Sequence, residues 1–435
     1  MEFTPTPSQA KFLIDGTNWY HGNNNFARLE AAAGMGKTFI LKHFLQKMGR
    51  RVKPLILAET NEAVQVLKNV LGDKYEVKTV CSALNLVVNT DEDSNSLFQH
   101  TPPDLSKYTL LVIDECSQLS TERLEIIESL GIYTLFVGHR SQLPPVEQHL
   151  DRYDKCISPV FTREKYAQFW LKEPVRNTTE IWEFCNRLEE LITKIGLPPS
   201  TFNVKSNFIT QYLENMDGIR EFQEGRTLAI AYTNNRVAEL NNIIRTGIYN
   251  KYAEEKYIVG DRVIFRKPAI GFRYSVLPNV SNINVLLSGK CPSYNFNINT
   301  KGEVTRVGYK TVIGIDCYEL HIKTNHWEKE KSVAIFYVPI MEKDFEVVER
   351  KLWGSAMYEH NPKNRSAKWK ILADARAVFQ QIKHGYAQTV HSTQGNTIMN
   401  VVVDGGDIKS CHNPTLRKKL LYVGASRAST SLYII

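Results

Sequence analysis

Residues 31–38, Ala-Ala-Ala-Gly-Met-Gly-Lys-Thr, have the composition of a loop that binds phosphate. Gly34 and Gly36 permit a backbone with positive φ and let N–H groups approach phosphate oxygens. The first turn of the following helix adds further donors and a favourable dipole. Lys37 would then contact the β- and γ-phosphates of a nucleoside triphosphate, and Thr38 would ligate Mg²⁺.

The first position of the pattern G-x-x-x-x-G-K-[ST] is Ala31 rather than glycine. Alanine resists positive φ, so we expect this residue to restrict the loop backbone modestly. The loop alone leaves two interpretations open, namely a nucleotide site or an Ala/Gly-rich turn ahead of an ordinary helix over residues 38–48.

Two more groups with catalytic chemistry follow apolar runs downstream. Asp114 and Glu115 end the run at 110–113, where Asp114 can hold Mg²⁺ and Glu115 can polarise an attacking water. Residues 138–146, Gly-His-Arg-Ser-Gln-Leu-Pro-Pro-Val, again follow an apolar run. A strand that ends in solvated acids explains Asp114 and Glu115 in isolation, but it is disfavoured downstream of a phosphate loop.

The elements that must position these groups are parallel strands joined by helices. Apolar runs alternate with helix-like stretches, which indicates an α/β fold. A first set of runs lies at 54–58, 110–113 and 133–137, with helix-like stretches at 62–71 and 121–130. A second set lies at 227–232, 401–404 and 431–435, with a helix-like stretch at 236–248. Two α/β domains are therefore predicted.

Two insertions interrupt this pattern. Residues 85–104 carry a polar tract around Leu97-Phe98, which is either a mobile loop or a hairpin that presents Phe98. Residues 251–383 begin with short strand candidates at 257–265, 303–307 and 333–338. A stretch at 350–383 mixes Lys and Arg with Trp and Tyr, which suits nucleic-acid contact or a solvated helix face.

Composition limits the class of protein. The net charge of +8 suits a polyanionic partner, and seven scattered cysteines without a C-x-x-C pair argue against a disulfide framework or a zinc site. Neither a leader nor a run of about 20 apolar residues is recognisable, so we expect a cytoplasmic protein without a membrane span.

The loop, the Asp-Glu pair and residues 138–146 resemble motifs I, II and III of superfamily 1 helicases. The resemblance implies that Gln142 senses the γ-phosphate and that Gln9 lies where the family reads adenine. The nucleotide contacts that it implies are Gln9, Ala33, Gly34, Met35, Gly36, Lys37, Thr38 and Gly395, with Thr38 and Asp114 holding Mg²⁺.

Later segments are similar to motifs IV, V and VI in the family's order: residues 171–176, 389–395 and 421–428. The resemblance implies that Arg176 and Arg427 reach the nucleotide from the second domain. The implied catalytic set is Lys37, Asp114, Glu115, Gln142, Arg176 and Arg427. ATP binding would draw the two domains together, and hydrolysis would release them.

Residues 57–61 and 79–82 resemble motifs Ia and Ib, which the family places against the nucleic-acid backbone. The implied DNA contacts are Thr60, Asn61, Thr79, Ser82, Phe98, Thr233, Asn234, Thr389 and His391. Hydroxyl and amide contacts to phosphates position a strand without reading its sequence. Helix capping by Thr60 and Thr79 is the alternative.

Within superfamily 1 the chain resembles the 5′→3′, RecD-like group called superfamily 1B. The resemblance implies two RecA-like parallel-sheet domains, a pin hairpin with Phe98 as its wedge, and an SH3-like β-barrel insertion. The expected divisions are RecA-like domain 1A at 1–84 and 105–175, pin domain 1B at 85–104, RecA-like domain 2A at 176–250 and 384–435, and insertion domain 2B at 251–383.

The function implied is an ATP- and Mg²⁺-dependent helicase, a monomer that moves 5′→3′ on single-stranded DNA in phage replication or recombination. Its partners would be single-stranded DNA and single-strand/duplex junctions, with a single-strand-binding protein as a further candidate. Two alternatives are an ATP-binding scaffold that has lost hydrolysis and an RNA-directed motor. Three residues depart from the family pattern: Ala31, His139 in place of aspartate and Cys81 in place of histidine.

Overall fold

The computed structural model describes residues 4–88, 97–99, 101–145, 157–173, 175, 179–193, 207–274, 293–296, 299–324, 333–379 and 381–435. These residues form two compact units. One comprises the described parts of Met1–Ser206, Leu228–Val237 and Gln388–Ile435, and the other those of Asn207–Thr227 and Ala238–Ala387. No helix within the described residues is both long and apolar enough to span a bilayer.

The first unit begins with a parallel sheet of six strands. These are β1 (Phe26–Ala31), β2 (Pro54–Ala58), β3 (Glu76–Thr79), β6 (Leu110–Ile113), β7 (Tyr133–Gly138) and β8 (Ala167–Leu171). Their order in the sheet is β3-β2-β6-β7-β1-β8. The accompanying helices are Pro7–Tyr20, Lys37–Met48, Asn61–Leu71, Val80–Ala83 and Thr121–Ser129. The strands β2 and β6 and most of β7 are continuous apolar runs, as expected for strands whose two faces are both covered.

A two-stranded hairpin, β4 (Leu86–Val88) with β5 (Leu97–Gln99), lies within the predicted insertion at 85–104. The backbone of Phe98 pairs with Val87. The hairpin interpretation of this segment is therefore confirmed at the level of the backbone, while the placement of the Phe98 side chain lies outside what is described.

The second parallel sheet of the first unit has four strands. These are β9 (Thr227–Ala231), β17 (Ala387–Thr389), β18 (Ile398–Val403) and β19 (Ala428–Ile434), in the order β17-β9-β18-β19. The helices Thr179–Thr193, Gly405–Lys409 and Pro414–Ala425 belong to the same unit, and the helix Asn234–Tyr249 begins in it. Two RecA-like sheets are thus present, as the alternation of strands and helices predicts.

The second unit contains an antiparallel sheet, which is compatible with an SH3-like insertion. Its strands are β10 (Arg262–Ile264), β11 (Ala269–Phe272), β12 (Ser293–Phe296), β13 (Lys301–Val312), β14 (Ile315–Thr324), β15 (Val333–Pro339) and β16 (Lys383–His384). Their order is β12-β11-β15-β14-β13-β10-β16. The helices of this unit include Phe208–Tyr212, Met216–Glu224, Glu342–Met357 and Pro362–Val378.

The strand predicted at 257–265 is wrong in its first half, since only Arg262–Ile264 is a strand. Gly260 has φ +93°, and the Asp261 carboxylate accepts the N–H of Ile258 at 2.8 Å. These two features close a turn, and a turn is incompatible with an extended backbone there.

Candidate functional site

The phosphate loop leaves the carboxyl end of β1 and enters the helix Lys37–Met48. Gly34 and Gly36 have φ +82° and +75°, the conformation for which glycine is required. Ala31 is instead the last residue of β1, paired with Leu171 and without positive φ. The predicted restriction of the backbone by Ala31 is therefore wrong, because this position needs no glycine.

Lys37 occupies the first helical position, and its Nζ donates to the carbonyls of Ala31 at 3.0 Å and Ala32 at 3.2 Å. Burial lowers the pKa of Lys37, while the carboxylates of Glu115 and Asp114 oppose that shift. The nearby guanidinium of Arg427 also lowers this pKa. The charge of Lys37 is thus influenced by both acids and by Arg427, which lies between the helix Pro414–Ala425 and β19.

The carboxyl end of β6 carries Asp114, which is buried, and Glu115, which has φ +53°. Burial raises the pKa of Asp114, and the adjacent Glu115 raises it further. Oxygen ligands such as the Thr38 hydroxyl and the Asp114 carboxylate suit Mg²⁺, and Thr38 begins the helix beside Lys37. Thr38, in the helix after the loop, and Asp114, at the end of β6, are thus the type of donor that the predicted metal prefers.

Gln142 is buried in the segment that follows β7, and its amide joins three elements. Its Nε2 donates to Glu115 Oε2 at 2.5 Å, and its Oε1 accepts the N–H of His139 at 3.0 Å. Ser117 Oγ lies 3.5 Å from the same Oε1 and accepts from Nε2 of Gln394, in the second sheet's motif V segment, at 3.3 Å. Gln142 is therefore placed to orient Glu115.

His139 is one of the three departures from the family pattern, and it has two polar contacts. Its Nδ1 accepts the N–H of Ser141 at 3.3 Å, so the ring proton is on Nε2, which lies 3.1 Å from Glu189 of the helix Thr179–Thr193. Arg140 forms two hydrogen bonds to Glu30 of β1, at 2.7 and 2.8 Å. Motif III is therefore tied both to β1 and to a helix beside the second sheet.

Arg427 is 5% exposed and follows the helix Pro414–Ala425. Its Nε donates to Val423 O at 3.0 Å, Nη1 to Asn396 O at 3.2 Å and Nη2 to Ser426 Oγ at 2.9 Å. Arg176 lies outside the described residues. Its neighbour Val175 donates its N–H to the Gly34 carbonyl at 2.9 Å, so the chain passes the phosphate loop just before Arg176.

Three other predicted nucleotide contacts are Gln9, Ala33 and Gly395. Gln9 is 2% exposed, forms a capping box with Thr6, and donates from Nε2 to Met35 O at 3.3 Å. Ala33 donates its N–H to Tyr422 Oη, in the helix Pro414–Ala425, at 3.2 Å. Gly395 has φ +87° in the loop that precedes β18. Tyr422 lies within the segment 421–428 that is similar to motif VI, but the sequence assigned it no role.

The threonines among the predicted DNA contacts lie at or just after strand ends and accept N–H groups from the turn that follows. Thr60 Oγ1 accepts the N–H of Ala63 at 3.1 Å, and Thr79 Oγ1 accepts that of Ser82 at 3.1 Å. The capping interpretation is therefore confirmed, yet each hydroxyl keeps its own proton to donate to a phosphate. Asn61, Ser82, Asn234 and His391 are exposed, and Thr389 bonds to Ser392.

The hydroxyl proton of Thr233, like that of Thr389, is already used within the protein. The Thr233 hydroxyl donates to Asp407 Oδ1 at 2.9 Å and accepts the N–H of Arg236 at 3.2 Å. A hydroxyl has one proton, so Asp407 occupies the only donor that Thr233 would offer to a phosphate.

Comparisons with known proteins agree with this geometry. Residues 21–148 match a family described as an AAA domain, and residues 384–435 match the UvrD-like helicase C-terminal domain. The chain is 24% identical over 429 residues to the ATP-dependent DNA helicase Dda of Enterobacteria phage T4, covering 94% of this chain and 93% of Dda.

Two solved Pif1 helicase structures share the fold. One, of two coordinating Pif1 helicases at forked duplex DNA, aligns with a TM-score of 0.53 and 17% identity, covering 99% of this chain and 92% of that one. Another, Bacteroides Pif1 with ADP-AlF3 and single-stranded DNA, aligns with a TM-score of 0.52 and 16% identity, covering all of this chain and 92% of that one. The two family matches, the nearly full-length similarity to Dda and the fold shared with Pif1 support the predicted membership of superfamily 1B.

Proposed function

We propose that this helicase hydrolyses ATP to move 5′→3′ along single-stranded DNA and to unwind the duplex ahead of it. The observation that carries the proposal is the convergence of Lys37, Asp114, Glu115 and Gln142 from one sheet with Arg427 from the other. A site divided between two sheets makes hydrolysis depend on how the sheets are positioned. That dependence is what a motor requires.

Each side chain has a distinct part in this proposal. Lys37 and Arg427 would neutralise the charge that develops on the transferred phosphoryl group, with Arg176 as a further candidate. Glu115 would accept a proton from the attacking water, and Gln142 would hold Glu115 in place through its 2.5 Å hydrogen bond. Mg²⁺ held by Thr38 and Asp114 would supply further charge neutralisation.

The DNA would cross the carboxyl edges of both sheets, against Thr60, Thr79 and Thr389, and reach the β4–β5 hairpin at the duplex junction. Basic composition supports a polyanionic partner, with a net charge of +8. The boundaries of the four domains, the monomeric state, the cytoplasmic location, the phage role and a single-strand-binding partner belong to the same proposal.

Duplexes with a single-stranded tail on either the 5′ or the 3′ side test the proposal. We expect ATP-dependent strand separation from the 5′-tailed duplex and little from the 3′-tailed one. If only the 3′-tailed duplex were unwound, the direction of movement would be 3′→5′ rather than the one proposed. ATP turnover without stimulation by DNA would favour a scaffold, and stronger stimulation by RNA than by DNA would favour an RNA-directed motor.

A further inference from the structure

The helix Pro414–Ala425, which precedes Arg427, presents two buried polar side chains to the first parallel sheet. Lys419 and Tyr422 are three positions apart and therefore lie on the same face of this helix. Each is 1% exposed, which is unusual for a lysine. We call these two residues the helix clamp.

Lys419 contacts the backbone of motif III. Its Nζ donates to Arg140 O at 2.5 Å and to Gln142 O at 3.0 Å. A buried ammonium group is costly unless polar groups replace its water, and these carbonyls do so here. Because the same segment carries the Gln142 side chain, Lys419 fixes the backbone from which Gln142 reaches Glu115.

Tyr422 contacts the phosphate loop itself. Its hydroxyl accepts the N–H of Ala33 at 3.2 Å, and its ring lies 6.3 Å from that of His139. Burial raises the pKa of this phenol, so it stays protonated and neutral. The two clamp residues therefore contact motif III and the phosphate loop, two of the segments proposed to bind the nucleotide.

Arg427 takes its position from the same helix. Its guanidinium donates to the carbonyl of Val423 and to the hydroxyl of Ser426, both in the last turn or at its cap. A helix moves as a rigid element, so any shift of Arg427 is accompanied by a shift of Lys419 and Tyr422. The side chain that stabilises phosphate charge is thus mechanically linked to motif III and to the loop.

We propose that Lys419 and Tyr422 are positioning residues, which align Gln142, Glu115 and the phosphate loop when the motif VI helix brings Arg427 into place. The inference rests on the ATP hydrolysis proposed above. It predicts that hydrolysis becomes competent only when both sheets adopt the clamped arrangement. Neither residue touches the reacting atoms in this proposal.

The experiment compares Lys419→Met and Tyr422→Phe with a matched control, Lys409→Met, an exposed lysine on the neighbouring helix Gly405–Lys409. For ATP hydrolysis stimulated by single-stranded DNA, we expect kcat to fall at least about tenfold in Lys419→Met and about threefold in Tyr422→Phe. We expect KM to change less than about twofold in both, because only the hydrolysis step loses alignment. The control should match the unmodified protein.

A second measurement separates positioning from a merely structural role. Displacement of a fluorescent nucleotide gives the affinities for ADP and for ADP with aluminium fluoride, which mimics the transferred phosphoryl group. The clamp predicts a selective loss of the mimic in both variants. Equal losses for the two ligands, or an unchanged kcat, would overturn it.

Tyr422→Phe retains the ring and its packing, so it keeps the test decisive if Lys419→Met does not fold. If the unmodified protein itself hydrolyses no ATP, the proposed function fails. The clamp fails separately when the unmodified protein is active and the variants match it.

Discussion

Two parts of the first parallel sheet's carboxyl edge satisfy their polar groups in different ways. At the ends of β1, β6 and β7, Lys37, Asp114, Glu115 and Gln142 are buried or part-buried, and their hydrogen bonds run to one another or to nearby backbone. At the ends of β2 and β3, the threonine hydroxyls are part-exposed and cap the next helix. We call these two parts the nucleotide edge and the DNA edge, after the roles proposed above. The polar contacts of the nucleotide edge join the motif segments to one another, whereas capping accounts for those of the DNA edge.

Lys37→Ala should have the largest effect, because it removes from the nucleotide edge the cation that is proposed to contact phosphate. We expect ATP hydrolysis to fall by about 100-fold or more, measured with saturating single-stranded DNA. Lys47→Ala, at the exposed end of the same helix, should keep full turnover. Normal turnover in Lys37→Ala would remove the assignment of the site.

Phe98→Ala tests whether the hairpin has a role that the nucleotide edge lacks. We expect unwinding of a 5′-tailed duplex to fall about tenfold, while hydrolysis stimulated by single-stranded DNA changes less than about twofold. Gln99→Ala on the same strand serves as the control. Equal losses in both assays would mean that Phe98 does not separate strands.

Thr60→Asp separates capping from DNA contact at the second edge. Aspartate caps a helix as well as threonine does, so we expect thermal stability to be kept, but its charge should repel a phosphate and weaken DNA binding about tenfold. Thr60→Ala should lose about 1 kcal/mol of unfolding free energy with a smaller effect on binding. Unchanged binding in Thr60→Asp would leave Thr60 as a cap alone.

Glu59→Gln should have the smallest effect and concerns a strongly buried acid of the DNA edge. Glu59 pairs with Arg123, yet burial raises its pKa from 4.5 to about 7. Between pH 4.5 and about pH 7, Glu59 is ionised in the unfolded chain but largely protonated in the folded protein. The free energy of unfolding therefore falls as pH rises through this range.

The glutamine side chain of that variant cannot titrate, so its stability relative to the unmodified protein should rise by the order of 1 kcal/mol between about pH 5 and about pH 8. Melting curves at several pH values measure this difference. The exposed neighbour Glu122→Gln serves as control, and a parallel pH dependence in Glu59→Gln and the unmodified protein would contradict the assignment.

The basic segment at 350–383 shows where composition alone is a weak guide. It forms parts of the helices Glu342–Met357 and Pro362–Val378, where Lys368 pairs with Glu359 at 2.6 Å and Arg376 with Glu349 at 2.6 Å. Acids from the same region thus neutralise part of the predicted patch. We therefore place the DNA path at the sheet edges.

Sequence reasoning located Lys37 from the glycines and the Lys-Thr pair of the phosphate loop. It located Asp114 and Gln142 because each follows an apolar strand, and strand ends in a parallel sheet meet at one edge. It missed the contacts of Lys419 and Tyr422, since their partners are backbone atoms of Arg140, Gln142 and Ala33. Nearly every residue type offers the same backbone acceptor and donor, so the sequence does not mark such contacts. The i, i+3 spacing of the two polar residues in a largely buried helix was the one available signal.

Ala31 has a consequence for how such chains are found. A search that demands glycine at the first position of the phosphate loop passes over this helicase, although the loop's two positive-φ positions are both glycine. The first position belongs to β1, where an extended backbone accepts alanine. A loop pattern written in terms of backbone conformation, with glycine required only at positions 34 and 36, would retain chains of this kind.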